Sequence, residues 1–221
     1  MGPVLLASAM WIDDDELIEK LMELSGACVV FTKQSRRPRK RQDLERLRTV
    51  NEQTPGLPMR AFPELGGLAP KVDAQAAVIG PYDRMDEGVV CTFRTLGYRR
   101  RQDFPPILHA KLALLGRLWW HDEDALGYPE DVIGFTRQRL WISSANFTRS
   151  SRHNLEFGYW TEDAALLQGA ESFLFSLMRD SEDVDPDADA PDPTLAPVAF
   201  DDDAIAEALG DADWDDADGS N

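Results

Sequence analysis

All 23 lysines and arginines of this 221-residue chain lie before Asp180. From Asp180 onward there are 16 acidic residues and no basic one, set among alanine and proline. A segment of that composition cannot bury enough apolar surface to offset its ordering entropy. Residues 181–221 are therefore expected to form a disordered acidic tail, which confines the fold to the body. With 16 of the chain's 40 acids from Asp180 onward, residues 1–179 hold 24 acids against 23 bases. The net charge of −17 belongs to the tail, and the body is electrically balanced.

An apolar fraction of 43% allows a real core in a body of this length. No run of 18 apolar residues occurs, so no membrane span is expected. The start, MGPVLLASAMWIDDDE, is apolar for a few residues but lacks a basic leader, and no signal peptide is read there. Cys28 and Cys91 sit in the apolar runs ACVVF and VVCTF, as buried free thiols of a reducing compartment do. A cytoplasmic protein is the expectation.

One domain is expected over residues 10–180. Asp13 with Glu16 three residues on reads as a capping box opening a helix that carries Leu17, Leu21 and Leu24 and stops at Gly26. ACVVFT (27–32) is short and β-branched, so it reads as a buried strand. A second helix is predicted from Pro38 to about Val50, then short strands at LPMRAF (57–62) and VVCTFR (89–94), with loop and one further strand at AAVIG between them. ILHAKLALL (107–115), RLWISSAN (139–146) and NLEFGYW (154–160) read as three more strands, and an amphipathic helix over 164–179 closes the domain. Helices alternating with buried strands, followed by a cluster of strands, predict an α/β sandwich around a mixed sheet. There is no internal repeat.

The strand around ILHAKLALL places Leu108, Ala110, Leu112 and Leu114 on one face and His109 and Lys111 on the other. Two residues apart on a strand, their Cα atoms lie about 6.5–7 Å apart. That spacing lets both reach one phosphate, the imidazole attacking phosphorus while the ammonium holds a non-bridging oxygen. Ser144 and Asn146 share a side of the next strand, where the amide can donate to another phosphate oxygen and the hydroxyl can brace the lysine or the phosphate. Glu156 on the third is placed to accept from the second ring nitrogen of His109, fixing the tautomer.

HAK at 109–111, SSANFT at 143–148 and NLEFG at 154–158 together resemble the H-x-K … G-S-x-N … E pattern of the phospholipase D superfamily. The resemblance is close from about 107 to 160 and looser over 13–179, where it suits one half of that fold. It implies two such halves facing each other across a shared site, here a homodimer. One histidine then forms a phosphohistidine while the other protonates the leaving group. Carried over by position, His109 takes both roles in different subunits, Lys111 and Asn146 bind phosphate, Ser144 supports them and Glu156 orients His109. No metal or cofactor is called for. The family's aspartate falls on Gly116 here, the glycine before the motif serine is Ser143, and a stretch at 117–138 is inserted between the motif strands.

Small single-motif bacterial members of that superfamily resemble nucleases, including restriction-type and phage-defence nucleases. A metal-independent nuclease is thus the leading expectation. The basic run with Arg36, Arg37, Arg39, Lys40 and Arg41, and the group Arg99, Arg100 and Arg101, are the candidate nucleic-acid contacts. Asp43 and Glu45 balance the first run. The alternative is a non-catalytic or conditionally active subunit of a larger assembly, docked through its tail. There Phe200, Ile205, Leu209 and Trp214 are spaced for a short helix on a protein partner. A lipid phosphodiesterase stands third, with no amphipathic membrane helix to favour it. His121 in HDED reads as part of a solvated turn and not a metal ligand, and Trp119 and Trp120 as edge-packing residues.

Overall fold

In the computed structural model, residues 2–32, 38–66, 68, 77–78, 84–85, 88–96, 108–123 and 129–186 are described. In chain order the elements are β1 (Pro3–Ala9), α1 (Asp15–Met22), β2 (Gly26–Thr32), α2 (Pro38–Gln53), β3 (Leu57–Pro58), β4 (Ala77–Val78), β5 (Arg84–Met85), β6 (Val89–Val90) and β7 (Phe93–Leu96). They continue with β8 (Leu112–Glu123), β9 (Pro129–Ser143), β10 (Gly158–Thr161), α3 (Ala164–Asp180) and β11 (Glu182–Asp183). Seven strands form one mixed sheet in the order β10-β9-β8-β1-β2-β7-β11. The neighbours β1/β2 and β2/β7 run parallel and the other pairs antiparallel. A mixed α/β protein is what the alternation predicted. No helix among the described residues is long and apolar enough to cross a membrane.

Two apolar layers follow from the period-2 pattern of the central strands. Val4 and Leu6 of β1, Cys28 and Val30 of β2, and Leu114 and Leu118 of β8 face α3, which contributes Leu167, Ala170, Leu174 and Met178. Leu5 and Ala7 of β1 with Val29 and Phe31 of β2 face α1 and α2, through Ile18, Leu21, Leu44, Leu47 and Val50. β1 and β2 are buried on both faces, which is why they read as continuous apolar runs.

Several expectations need correction. The sheet starts at Pro3, ahead of the expected boundary at 10, because the apolar opening run is a central strand. The cap of α1 is Asp14, which accepts from Leu17 N at 3.1 Å, and not Asp13. The backbone is still extended at Asp14, and the N–H of Asp13 before it donates to Phe147 O at 3.0 Å. LPMRAF keeps only two strand residues; Pro58 has no N–H to extend the ladder, and 3₁₀ turns follow at Met59–Ala61 and Pro63–Leu65. VVCTFR is two strands in different sheets, broken at Cys91–Thr92. The stretch at 117–138 is no insertion between elements, since most of it is the long β8–β9 hairpin, and His121 pairs with Val132 inside that hairpin. The expected motif strands start late or end early: 108–111 precede β8, 144–146 follow β9, and 154–157 precede β10.

The body also runs past residue 180. Arg94, only 5% exposed, donates to Ser181 Oγ at 2.7 Å, Ser181 O at 2.8 Å and Asp183 Oδ1 at 2.5 Å. These bonds seat β11 against β7 and bury Val184. Arg36, Arg37, Arg99–Arg101 and residues 187–221, with Phe200, Ile205, Leu209 and Trp214, lie outside the described residues. Arg39, Lys40 and Arg41 lie in α2, but their side chains are outside the description.

Gly116 is fixed by its neighbours. A Cβ there would stand 2.2 Å from the Phe135 ring and 2.5 Å from Thr136 O, so the ring occupies the place of a side chain. The aspartate that the resemblance leads one to look for has no room. Gly116→Asp is expected to destabilise the fold by about 3 kcal/mol or more, through overpacking and a buried unpaired charge. Urea unfolding of the variant checks this; unchanged stability would show that the Phe135 ring moves aside freely.

Candidate active site

The carboxyl ends of the parallel strands β1 and β2 lie at one margin of the sheet. The antiparallel register brings the start of β8, the end of β9 and the start of β10 to that same margin. In open α/β sheets this is where ligand crevices form. His109, Lys111, Ser144, Asn146 and Glu156 all fall on the segments that emerge there.

Beyond the end of β1, side chains replace its backbone as the partner of residues 108–110, and β9 reaches Lys111. Thr32 Oγ1 donates to Leu108 O at 3.0 Å and Ser8 Oγ to Ala110 O at 3.2 Å, while Ser143 N of β9 donates to Lys111 O at 3.1 Å. The segment is thus held extended without being a strand. His109 is exposed, whereas Lys111 is 6% exposed. Lys111 Nζ lies 3.0 Å from His109 Nε2 and donates to His109 O at 3.1 Å. An ammonium has donors only, so a charged Lys111 makes Nε2 the acceptor and puts the ring proton on Nδ1. Burial pulls the Lys111 pKa below its ordinary 10.5, and the negative charge of Glu156 acts against that shift.

Ser144 and Glu156 form the second group. Ser144 Oγ donates to Glu156 Oε2 at 2.5 Å and accepts from Phe157 N at 2.9 Å, while Ser144 N donates to Phe157 O at 2.8 Å. Glu156 therefore does not hold His109, as was expected. Its carboxylate goes to Ser144, and His109 takes its ring contact from Lys111. Asn146 Oδ1 accepts from Met10 N at 3.1 Å, which fixes the amide and leaves Nδ2 with no partner among the described residues. All five residues sit on this one margin, and the closest contacts are the pairs His109–Lys111 and Ser144–Glu156.

A clamp that the sequence did not reveal holds the motif loop. Residues 10–14, which continue β1, meet residues 146–152 edge to edge. Phe147 N donates to Trp11 O at 3.1 Å, and Phe147 O accepts from Asp13 N and Asp14 N at 3.0 and 3.2 Å. Arg149 N donates to Asp13 Oδ1 at 2.9 Å, and Arg152 Nη2 to Asp14 Oδ1 at 2.7 Å. Arg46 and Arg149 both pair with Asp15, and Arg152 Nη1 reaches Glu16 at 2.5 Å. The run of acids at 13–16 was legible, but its basic partners come from 31 to 138 residues away.

Compared with known proteins, the chain matches no family model, no curated protein and no solved structure.

Burial alone would raise the Asp14 pKa, but hydrogen bonds from Arg152 and Leu17 N, with the Arg152 charge, outweigh it and leave the carboxyl below its ordinary 3.8. A depressed folded pKa gives stability that is present above the unfolded value and lost as pH falls through the folded one. Asp14→Asn keeps the helix cap but loses the charge pair. It should cost about 1 kcal/mol at neutral pH, and the gap to wild type should close below pH 3.8. Urea titrations across an acid pH series test this, and a gap constant with pH would rule out the pair as its source.

Proposed function

We propose that the chain is a phosphodiesterase of the phospholipase D type, acting on nucleic acid through a site shared by two copies. The observation that carries this most is the His109–Lys111 pair, with Nζ 3.0 Å from Nε2, beside an amide and a serine–carboxylate pair at the sheet margin. In this scheme the phosphodiester oxygens compete for the Lys111 protons and draw them from the ring. Nε2 is thereby freed to attack phosphorus. The P–O bond to the leaving group breaks as the N–P bond forms, and the leaving oxygen takes a proton from His109 of the second subunit, which enters the step as the imidazolium with its Lys111 turned to the phosphate. Water then cleaves the N–P bond, giving up its proton to that same second imidazole. Lys111 and the Asn146 amide neutralise the charge that develops on the non-bridging oxygens. Ser144, held by Glu156, keeps the Phe157 backbone and the motif loop in register.

Dimerisation follows from the chemistry, since one chain supplies one H-x-K set. The surface beside the site supports it. Leu155 is fully exposed and Phe157 is 67% exposed on either side of Glu156, next to the edge strand β10. An apolar rim at a sheet edge is the kind of surface a two-fold contact covers. A role in phage defence, and an assembly partner for the acidic tail, fit the same proposal.

His109→Ala is expected to lose all turnover above the uncatalysed rate, in chelator as in magnesium buffer, with its melting temperature unchanged. Mixing it with equal wild-type chains and letting them re-assort should leave about a quarter of the wild-type activity, since only wild-type pairs hold both imidazoles. About half would remain if each chain worked alone, and that result would refute the shared site.

A further inference from the structure

On the α1 side of the sheet, helices cover β1, β2 and β7 but not the outer strands. α1 is only eight residues long and packs over β1 and β2. A groove of about 460 Å³ is left between α1 and strands β8 to β10. Leu17 and Leu21 line it from the helix and Leu115, Trp141 and Trp160 from the sheet, and Asn146 is among its polar lining, with Asp14, Lys20, Thr148, Ser151 and Arg152. The volume is within the range of small-ligand pockets, and a lining of apolar and aromatic side chains with some polar groups is their usual make-up.

The register ties this groove to the candidate site. Lys111 O bonds Ser143 N, and Ser143 lies opposite Gly158, so Lys111, Ser143 and Gly158 follow one another across the sheet. Trp160 is two residues further along β10, roughly 6.5–7 Å away, and faces Trp141 with ring centroids 5.2 Å apart. The Trp141 ring also lies over Gly158, where a Cβ would come within 2.2 Å of it. Arg139, itself held by Glu162 at 2.6 Å, places its guanidinium 5.8 Å from the Trp160 ring centre. Trp160 is nevertheless 48% exposed. An open indole face, braced by a second indole and a cation, thus stands two strands across and two residues along from the lysine, in the groove that Asn146 also lines.

We infer that this groove binds the nucleobase next to the scissile phosphate, stacked on Trp160, with Asn146 at the junction between base and phosphate. The inference rests on the phosphodiesterase proposal and gives it a substrate class: a single strand or an unpaired base, because a base in a duplex has no free face to offer. Flat π faces with polar groups beside them suit a heterocycle. An acyl chain would be served by an enclosed aliphatic tunnel, and a wall built of two indoles does not make one.

Full-length wild type, Trp160→Ala and Trp160→Phe are titrated with adenosine 5′-monophosphate, ribose 5-phosphate and a short-chain phosphatidylcholine below its micelle concentration, reading tryptophan fluorescence. They are then assayed on a single-stranded oligonucleotide with and without an abasic site at one step. The nucleotide should quench the wild type and the sugar phosphate should not. Trp160→Ala should lose most of the nucleotide response and cut the intact oligonucleotide about tenfold more slowly, while Trp160→Phe, which keeps a stacking face, retains most of both. All three proteins should cut the abasic step at one common, lowered rate. Quenching by the sugar phosphate equal to that by the nucleotide, or undiminished cutting by Trp160→Ala, would overturn the base subsite. So would a response to the lipid in place of the nucleotide, which would make the groove an acyl site. If the wild type cuts no diester yet the nucleotide response still depends on Trp160, the base subsite stands and the phosphodiesterase proposal fails.

Discussion

The hydrogen bonds made by strand β1 and the five residues that continue it are what the rest of the margin depends on. Ser8 holds the backbone at Ala110, Met10 fixes the Asn146 amide, Trp11 and Asp13 pair with Phe147, and Asp14 caps α1 while binding Arg152. One stretch of chain thereby positions the lysine segment, the motif loop and the helix that walls the groove. Such a stretch has to be rigid, and burial of β1 on both faces makes it so. A close-packed strand cannot slide without opening voids on two sides at once.

Lys111 shows how the margin tolerates a cation with little solvent. A buried ammonium is costly unless its protons find acceptors. Here the acceptors are the ring and carbonyl of His109, two residues back on the same strand-like segment. The acceptors are local in sequence, whereas the neutralising carboxylate, Glu156, acts from across the loop. The lysine is therefore hydrogen-bonded to a neutral group, a weaker acceptor than an anionic oxygen.

Much of this was legible in the sequence, for identifiable reasons. The face assignment at 108–114 came from strict alternation, and the structure puts Leu108 and Leu114 in the α3 layer and Ala113 in the opposite one. Helix α3 followed from Leu167, Ala170 and Leu174. Where local pattern conflicts with tertiary pairing, the pattern misleads. His109, Lys111, Ser144 and Glu156 alternate as in strands, yet each lies just past the point where a neighbouring strand ends. The opening run PVLLASA carries no polar alternation to mark it as a strand, because it is buried on both faces. The bonds of Arg152 to Asp14 and of Arg94 to Ser181 were invisible, since exposed and buried arginines are written with the same letter.

The way Arg94 seats β11 has a consequence for the geometry of any assembly. It fixes the root of the acidic tail on the β7 side of the sheet, and β10 is the last strand on the other side. Two copies joined along their β10 rims would therefore hold the roots of their tails at opposite flanks, about two sheet widths apart. The same particle would offer two tethering points rooted on opposite sides, a bivalent arrangement suited to bridging two targets.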